Sequence, residues 1–515
     1  MIVEKDEDST MHGIRIRMAR LTCGWLCAVL LAGCASIGQL VSQPTTTETP
    51  APSTLPAEQQ IAALRSRAES QELAGDNWNA ARTRVQLSSL LSGEPRARNE
   101  KQIRDLLTSL GEHELLAGYE TLADRDPLKP YVQAALEQLG VALPRALPQL
   151  DHPVGTQIGV GSAAHREGYA MPSKIALLLP TNGALAVPAA AVREGFFTAY
   201  FDDKSDSSRP DVRSYDSGGT PAQSMAAYKQ AVNDGAQLVI GPLGRESVAA
   251  VFAQDSLPAP LLALNHPDND TPPPPGSAEF GLLPEAEGAQ AAAHMSERGL
   301  KQAIVFLSND DRARRAASAF KVQFESLGGR VTQVTLPSDN VDYSNQIKAA
   351  LSNAGGDSGI LLLMRPQTAR LLMPQLKLAK VMQPVFATSL IYTGGDNPTA
   401  DSDLDGVEFC DVPWLFDAQP GLPDHDALAA QLPEARNAAA RLFAFGMDAY
   451  ALAPYLDWLR THPGTYVAGA TGQLTEDALG RVHRVPIWAS FQNGVAHPVA
   501  AGLDSTPAPT SSSSQ

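Results

Sequence analysis

Apolar residues recur with a helical period between residue 57 and about residue 139. Side chains three and four positions apart lie on one face of an α-helix, so each apolar set predicts one amphipathic helix. Breaks rich in Gly, Pro and Asp separate five such sets, which predicts a domain of helical hairpins, tetratricopeptide-like in style, over residues 57–140. The sets are Ile61, Leu64 and Ala68; Trp78, Ala81 and Val85; Ile103, Leu106, Leu107 and Leu110; Leu115, Leu116, Tyr119 and Leu122; and Tyr131, Val132, Ala135 and Leu139.

From residue 173 the pattern changes to short apolar runs that alternate with helical stretches. Nearly continuous apolar strands separated by helices are typical of parallel sheets covered on both faces. Because so many strands exceed one modest sheet, we expect two α/β lobes over residues 173–504, and the fold class is α plus α/β. The predicted strands are Ile175–Leu179, Val212–Tyr215, Leu238–Ile240, Leu261–Leu264, Ala303–Leu307, Val331–Val334, Ile360–Leu363 and Val385–Ala387.

Four segments have a composition that favours irregular or disordered chain. Residues 34–56 are rich in Thr, Pro and Ser and predict a tether, which would reach roughly 70 Å in a polyproline II conformation. Residues 141–172 carry Pro and Gly without a sustained period and predict a linker. Loop 266–276 and the tail 505–515 are expected to be disordered.

The first 34 residues have the pattern of an export signal. A basic segment, Arg15–Arg20, precedes an apolar run, Leu21–Ala32, which is too short to cross about 30 Å of hydrocarbon. The run ends in Leu31–Cys34 (LAGC), which resembles the lipobox of bacterial lipoproteins. That resemblance implies a signal peptide over residues 1–33 and a diacylglycerol on Cys34; the alternative is an ordinary signal peptide that contains a cysteine. In enterobacteria-like sorting, the following Ala35 indicates the outer membrane.

Net charge and cysteine content restrict the expected partners and the expected disulfide bonds. The chain has 40 Lys and Arg against 56 Asp and Glu, a net charge of −16, and it lacks the basic stripes that bind a phosphate backbone. Nucleic acid is therefore excluded as an expected partner. Of the four cysteines, Cys23 and Cys27 leave with the signal peptide and Cys34 is acylated. Cys410 then stands alone, so we expect a small buried residue and no internal disulfide.

Several short motifs resemble catalytic sequences but lack the residues that the chemistry needs. His113 and Glu114 begin like a zinc-protease helix, yet the second histidine is missing. Gly356–Gly359 (GDSG) lies between a predicted helix and a predicted strand, which favours a turn. Gly159–Ala164 matches a dinucleotide fingerprint, but no convincing strand precedes it. We therefore expect no enzyme, no cofactor and no metal site.

The α/β region carries a series of motifs in a characteristic order. They resemble the outer-membrane lipoproteins that activate bifunctional penicillin-binding proteins, the LpoA/LppC type, whose α/β part has a type 1 periplasmic binding-protein fold. The resemblance covers about residues 174–494. The motifs are Ala176–Pro180 with Gly183, Gly195-Phe196, Ala199-Tyr200, Ile240–Leu243, Leu264-Asn265, Phe280–Leu282, Ala387–Ser389 with Tyr392, Asp405–Val407, Pro413-Trp414, Phe445–Tyr450, Gly469–Leu474, and Arg484 with Trp488 and Phe491.

This resemblance implies a non-enzymatic regulator of peptidoglycan synthesis. It implies an outer-membrane lipid anchor facing the periplasm and a bifunctional penicillin-binding protein as partner. The alternative is a solute-binding lipoprotein of an ABC transporter, which would close its lobes on a small polar ligand. The helical domain and Ala35 count against that alternative. A cell-wall hydrolase is a third reading, and no nucleophile–base pair or carboxylate pair supports it.

Two lobes imply a cleft, and ligands of open α/β sheets bind beyond the carboxyl ends of the strands. A structural role fits the same positions, because Gly183 and Gly241 permit tight turns and Asn265 caps a loop. The sequence favours the structural role, since a fold does not by itself imply a ligand. The candidate ligand-binding residues are Thr181, Asn182, Gly183, Gly241, Asn265, Ser389 and Tyr392.

Overall fold

The structure is a computed structural model of the chain. The predicted signal peptide, the tether with Cys34 and the C-terminal tail lie outside the described residues. The described ranges are 57–91, 93–122, 126–139, 155–159, 166–203, 209–254, 256–268, 271–337 and 340–499.

A helical module comes first and confirms the predicted N-terminal helices. Its core is built from the apolar faces of the last four helices, with Ala81, Ile103, Leu107, Leu115 and Tyr131 buried together. Leu479 from the α/β body is buried in the same core, so the module is packed against the rest of the protein. The helices are α1 (Ala57–Leu73), α2 (Asn77–Ser88), α3 (Gly93–Thr108), α4 (Glu112–Thr121) and α5 (Lys129–Gln138).

Lobe 1 follows a short strand, β1 (Thr156–Ile158), which belongs to another sheet. The five strands of lobe 1 are all parallel, in the order β3-β2-β4-β5-β6. The central strands are buried on both faces, as their continuous apolar sequences predict. The elements are β2 (Lys174–Leu179), α6 (Ala186–Asp202), β3 (Asp211–Asp216), α7 (Pro221–Asn233), β4 (Leu238–Ile240), α8 (Arg245–Phe252), β5 (Leu261–Ala263) and β6 (Ala278–Glu279).

Lobe 2 has the same strand–helix alternation, and all eight predicted strands are present across the two lobes. Its parallel strands lie in the order β8-β7-β9-β10-β11. The elements are α9 (Pro284–Glu297), β7 (Gln302–Ser308), α10 (Asp311–Ser326), β8 (Arg330–Leu336), α11 (Ser344–Ala350), β9 (Ser358–Leu363), α12 (Pro366–Leu378), β10 (Val385–Ala387), α13 (Pro398–Asp401), β11 (Val407–Asp411) and α14 (His425–Gln431).

The C-terminal part adds antiparallel structure that the sequence analysis did not predict. A third sheet has the order β1-β12-β13-β14, and two final strands extend the sheet of lobe 2 beyond β11. Because β1 pairs with β12 in this sheet, part of the predicted linker 141–172 is a strand. The elements are α15 (Ala440–Leu452), α16 (Leu456–Thr461), β12 (Thr465–Gly469), β13 (Gly472–Glu476), β14 (Val482–Val485), β15 (Ile487–Gln492) and β16 (Val495–Pro498).

Loop 266–276 corrects a second expectation. Its described residues are ordered against lobe 1, with His266, Pro267 and Pro272–Pro275 buried. Proline and aspartate disfavour helix and strand, but they do not prevent an irregular segment from packing. The prediction of disorder is therefore wrong for the described residues of this loop, 266–268 and 271–276.

Helix α15 joins the two lobes. Phe443, Ala444 and Met447 pack into the core of lobe 2, whereas Phe445 and Ala449 pack into the core of lobe 1. Helix α6 of lobe 1 crosses α15 directly, as the close approach of their backbones shows. This helix pair is therefore one of the contacts that set the relative position of the lobes.

Cys410 and the apolar character of the helices can be compared with the predictions. Cys410 is fully buried in lobe 2, as predicted, and burial raises the pKa of its thiol. Across the described ranges, no helix combines the length and the apolar character needed to cross a bilayer.

Candidate functional site

A cavity of about 780 Å³ lies between the two lobes. It opens where strands of both sheets end, since Leu264 follows β5, Arg365 follows β9 and Thr388 follows β10. This is where open α/β folds bind ligands, and the volume is in the usual range for small-molecule sites. Both lobes contribute polar and apolar side chains: lobe 1 provides Val187, leucines and Asn265, and lobe 2 provides polar and charged side chains together with Leu390 and Val412.

Three of the seven predicted ligand residues line this cavity, namely Asn265, Ser389 and Tyr392. The Asn265 side chain donates to the Leu243 carbonyl at 2.9 Å and accepts from the His266 amide at 3.0 Å, so it also stabilises its own loop. The Tyr392 hydroxyl donates to Asp396 Oδ1 at 3.1 Å. Their role in ligand binding stays a prediction.

Thr181 and Asn182 are not part of the cavity lining. Both are exposed and bind Asp216 of lobe 1: the Thr181 amide and hydroxyl donate to its carboxylate at 3.0 and 2.7 Å, and the Asn182 amide at 3.3 Å. The hydrogen bond from the Thr181 hydroxyl, with backbone amides, lowers the pKa of Asp216. This arrangement fixes the turn after β2.

Gly183 and Gly241 also lie outside the lining, and backbone conformation explains both. Gly183 has φ +77° in open space. Gly241 has φ +109°, and a Cβ there would lie 2.0 Å from the Leu178 carbonyl oxygen. Both positions therefore favour glycine for steric reasons, which is the structural role that the sequence favoured.

A buried ion pair at the cavity wall connects lobe 2 to the third sheet. Arg484 Nη2 donates to Glu287 Oε1 at 3.0 Å, and its Nη1 donates to the Thr471 carbonyl at 3.3 Å. The other oxygen of Glu287 accepts from the Ser389 amide and hydroxyl at 3.2 and 2.7 Å. Both carboxylate oxygens of Glu287 therefore accept hydrogen bonds. Through one of them, Glu287 holds Ser389 in place.

A second ion pair supports Tyr392. The Arg441 guanidinium binds Asp411 through two nitrogens, one of them Nε at 2.8 Å from Oδ1, and donates to the Tyr392 carbonyl at 3.0 Å. Burial raises the pKa of the Asp411 carboxyl, and Arg441 opposes that rise. Neither ion pair is predictable from local sequence, because its two partners are far apart in the chain.

The cavity lining is made of charged, polar and apolar side chains. Among the described residues it contains neither histidine nor cysteine. Within the same part of the chain, no group of three His, Cys, Asp or Glu side chains is arranged to hold a metal ion. The Gly356–Gly359 motif forms the turn into β9, as predicted.

Asp448 of α15 makes stability depend on pH. Its buried carboxylate accepts from the Ala470 amide at 2.6 Å and from the Thr471 amide and hydroxyl at 2.8 and 2.5 Å. Burial raises its pKa to about 6. A raised carboxyl pKa means that the folded state holds a proton which the unfolded state releases. The contribution of Asp448 to the free energy of unfolding is therefore full below pH 4 and is lost as pH rises through 6.

We therefore expect wild type to lose about 2 kcal/mol more stability than Asp448→Asn between pH 4 and 7. Urea unfolding of both proteins across that range measures the difference. The comparison removes the contribution of all other titrating groups, since both proteins share them. Parallel stability profiles would contradict the assignment.

Two α/β lobes around a cleft, with a helix pair and a third sheet between them, define a protein with the type 1 periplasmic binding-protein fold. Residues 168–494 match the family described as "LppC putative lipoprotein". Because the match covers more than half of the chain, this protein belongs to the LppC lipoprotein family.

Individual relatives agree with the family. The chain is 31% identical over 354 residues to the penicillin-binding protein activator LpoA of Photobacterium profundum, an alignment that spans 63% of this chain and 57% of that protein. The match thus covers less than two thirds of that relative.

Solved structures show the same fold. The C-domain of LpoA (YraM) from Haemophilus influenzae, a regulator of PBP1A, superposes with a TM-score of 0.55 at 24% identity, over 64% of this chain and 100% of that one. A "putative branched-chain amino acid ABC transporter" from Rhodospirillum rubrum gives 0.52 at 20% identity, over 64% and 100%. At these identities the likeness concerns the fold alone.

Proposed function

We propose that this protein is an outer-membrane lipoprotein that binds and activates a bifunctional penicillin-binding protein. The observation that carries the proposal is the sequence match to a penicillin-binding protein activator, at 31% identity over 354 residues. The ABC transporter structure from Rhodospirillum rubrum shares only the fold, at 20% identity.

The packing of the helical module supports a role in docking. Leu479 is buried in its core, and the buried Arg96 guanidinium lies 3.7 Å from Asp457 of the body. The module is therefore packed against the body. A partner that contacts the module can thus also affect the body. The predicted tether, residues 34–56, would reach roughly 70 Å if it were extended, and it would let the packed module and body contact a partner far from the anchor.

The proposed activity is regulatory. Such an activator must bind the active form of the synthase more tightly than the inactive form, because equal affinity for both shifts no equilibrium.

The test is a crosslinking assay with purified synthases of the host. The protein is added to each bifunctional penicillin-binding protein with lipid II, and the fraction of crosslinked peptide is measured. We expect a rise of roughly twofold or more with one synthase. A change of a few tenths of a kcal/mol in the free-energy difference between its inactive and active forms is enough for that rise. The same reaction with penicillin gives the background.

A second function is favoured by the cavity, which has the size of a small-molecule site. If no synthase responds to the folded protein, the activator proposal fails. Solute binding for an ABC transporter then becomes the better account.

The anchor has its own test at Cys34, which lies outside the described residues. Cys34→Ser removes the sulfur that would carry the lipid, so we expect the protein to move from the outer-membrane fraction to the soluble periplasmic fraction. Density-gradient fractionation with immunoblotting measures this. Retention of the variant in the outer membrane would contradict the lipoprotein prediction.

A further inference from the structure

Exposed apolar side chains form a stripe on the outer face of α12. Leu371, Pro374 and Leu378 are exposed and follow one another at spacings of three and four residues, so they lie on one face of this helix. Met382 comes four residues after Leu378, just beyond the end of the helix. Leu378 is 84% exposed and Met382 is 89% exposed, so the described part of the chain covers almost none of either side chain.

Val341 widens this stripe on one side. Gln375 Nε2 donates to the carbonyls of Val341 and Leu371, both at 2.8 Å, and its Oε1 accepts from the Tyr343 amide at 2.7 Å. Gln375 therefore fixes Val341 beside the helix, where it is 68% exposed. The α12 patch is defined as Val341, Leu371, Pro374, Leu378 and Met382.

The inner face of α12 already supplies the packing that the fold needs. Leu372, Met373 and Leu376 are buried in the core of lobe 2. A helix that covers a sheet needs one apolar face, and its opposite face is normally polar. Adjacent exposed apolar side chains mark interaction sites, and methionine is common at surfaces that bind other proteins. The α12 patch is therefore available to a partner.

The charges of α12 next to this patch are positive. Over residues 371–382 the charged side chains are Lys377 and Lys380, and both are exposed. Lys377 Nζ donates to the Asp403 carbonyl at 3.0 Å, a contact that leaves its charge uncompensated by that oxygen. One acidic side chain, Asp342, adjoins the patch in sequence. The carboxyl end of α12 is thus apolar and basic, on a chain whose net charge is −16.

This charge distribution discriminates between possible occupants. A two-fold contact between two copies of the chain joins identical surfaces, so it would bring the lysines of one copy toward those of the other. An anionic lipid surface attracts the lysines but repels a chain with a net charge of −16. A protein surface with an apolar centre and an acidic border complements both features of the patch.

We propose that the α12 patch docks a partner protein through an apolar surface bordered by acidic side chains. The proposal rests on the proposed function, under which this partner is the bifunctional penicillin-binding protein. Leu378 and Met382 form the centre of the contact, because they have the most apolar surface to bury. Lys377 and Lys380 lie at its rim, where charges act mainly on the rate of association.

The test measures binding of the full-length protein to the synthase that responds in the crosslinking assay. Biolayer interferometry gives the dissociation constant, and crosslinking of lipid II is followed in parallel. Leu378→Ser with Met382→Ser is expected to raise the dissociation constant about tenfold or more, because a few central side chains carry most of the energy of an interface. Stimulation of crosslinking should fall with it at limiting protein concentration.

A matched control removes equally exposed apolar side chains elsewhere on lobe 2. Val322→Ser with Leu327→Ser alters α10, which covers the opposite face of the same sheet. This control should bind and stimulate like wild type. All four positions are exposed, so both variants should unfold at the same urea concentration as wild type.

A second pair of variants tests the rim. Lys377→Glu with Lys380→Glu is expected to slow association about tenfold at low salt, and the difference from wild type should shrink as the salt concentration rises. Lys321→Glu with Arg330→Glu makes the same change in net charge at exposed positions of α10 and β8. This charge control should associate at nearly the wild-type rate.

Each result decides the proposal. Loss of binding in the α12 variants with retention in both controls supports it. If wild type stimulates a synthase and Leu378→Ser with Met382→Ser binds equally well, the proposal is overturned and the proposed function stands. If wild type binds no synthase, both are overturned.

Two further measurements detect the other occupants. A wild-type dimer in sedimentation velocity that Leu378→Ser with Met382→Ser dissociates would assign the patch to a second copy. Binding of the Cys34→Ser protein to phosphatidylglycerol vesicles, abolished by the same two substitutions, would assign it to a lipid surface. Either result would overturn the proposal.

Discussion

Replacing Arg460 with methionine is expected to lower the free energy of unfolding by about 3 kcal/mol or more. Arg460 of α16 and Glu476 of β13 form a buried pair, with 1% and 0% of their side chains exposed and a distance of 2.7 Å between Nε and Oε1. Breaking a buried pair by removing one partner leaves the other charge without compensation, and the cost is about 3–5 kcal/mol.

The surroundings of the pair disfavour an unpaired charge at Glu476. Burial raises the pKa of the Glu476 carboxyl even with Arg460 beside it, so without Arg460 the carboxylate would be still less stable. Glu100 of the helical module also acts on Arg460: burial alone would lower the pKa of the guanidinium, and Glu476 and Glu100 raise it. The substitution therefore weakens the junction between the module and the body as well.

A double variant separates the pair from the packing around it. Arg460→Met with Glu476→Leu replaces two charges by apolar side chains, a change that is often neutral, so it should recover most of the lost stability. Arg213→Met is the matched control, since its pair with Asp211 at 3.4 Å is exposed and worth less than about 1 kcal/mol. Urea unfolding followed by circular dichroism measures all of them. Equal losses at Arg460 and Arg213 would contradict the argument.

The sequence predicted the parts of the fold whose local signal is strong. Strands buried on both faces, such as β2 and β9, are continuous apolar runs between helical stretches, and all eight predicted strands were found. The third sheet was missed because its strands are short and one-sided. In β13, buried and partly buried residues alternate over five positions, and Leu474 is its only large apolar side chain.

The cleft was predictable in position but not in composition. The rule that ligands bind beyond strand ends found Ser389 and Tyr392, which follow β10 in the cavity lining. It also selected Thr181 and Asn182, which follow β2 but bind Asp216 instead. Whether a loop turns toward the cleft depends on tertiary packing, and so does the meeting of Glu287 with Arg484, which are 197 positions apart.

The crossing of α6 and α15 is a second place where one added carbon atom, a Cβ on a glycine, should lower stability. A Cβ on Gly446 would lie 2.0 Å from the Val192 carbonyl oxygen, and a Cβ on Gly195 would lie 1.9 Å from the Phe443 carbonyl oxygen. Each glycine thus faces backbone of the other helix, which cannot rotate away as a side chain can. The two helices can contact each other only because both positions lack a side chain.

Gly446→Ala is therefore expected to lower the free energy of unfolding by about 3 kcal/mol, even though alanine favours helix by about 1 kcal/mol. Gly356→Ala is the control, because that glycine has open space and should change stability by less than about 1 kcal/mol. Adding Gly195→Ala to Gly446→Ala should cost less than the sum of the two, since the first substitution already separates the helices. Urea unfolding of the four variants measures these values. A Gly446→Ala protein as stable as the control would show that the helices can move apart freely, and α15 would then not fix the lobes on either side of the cleft.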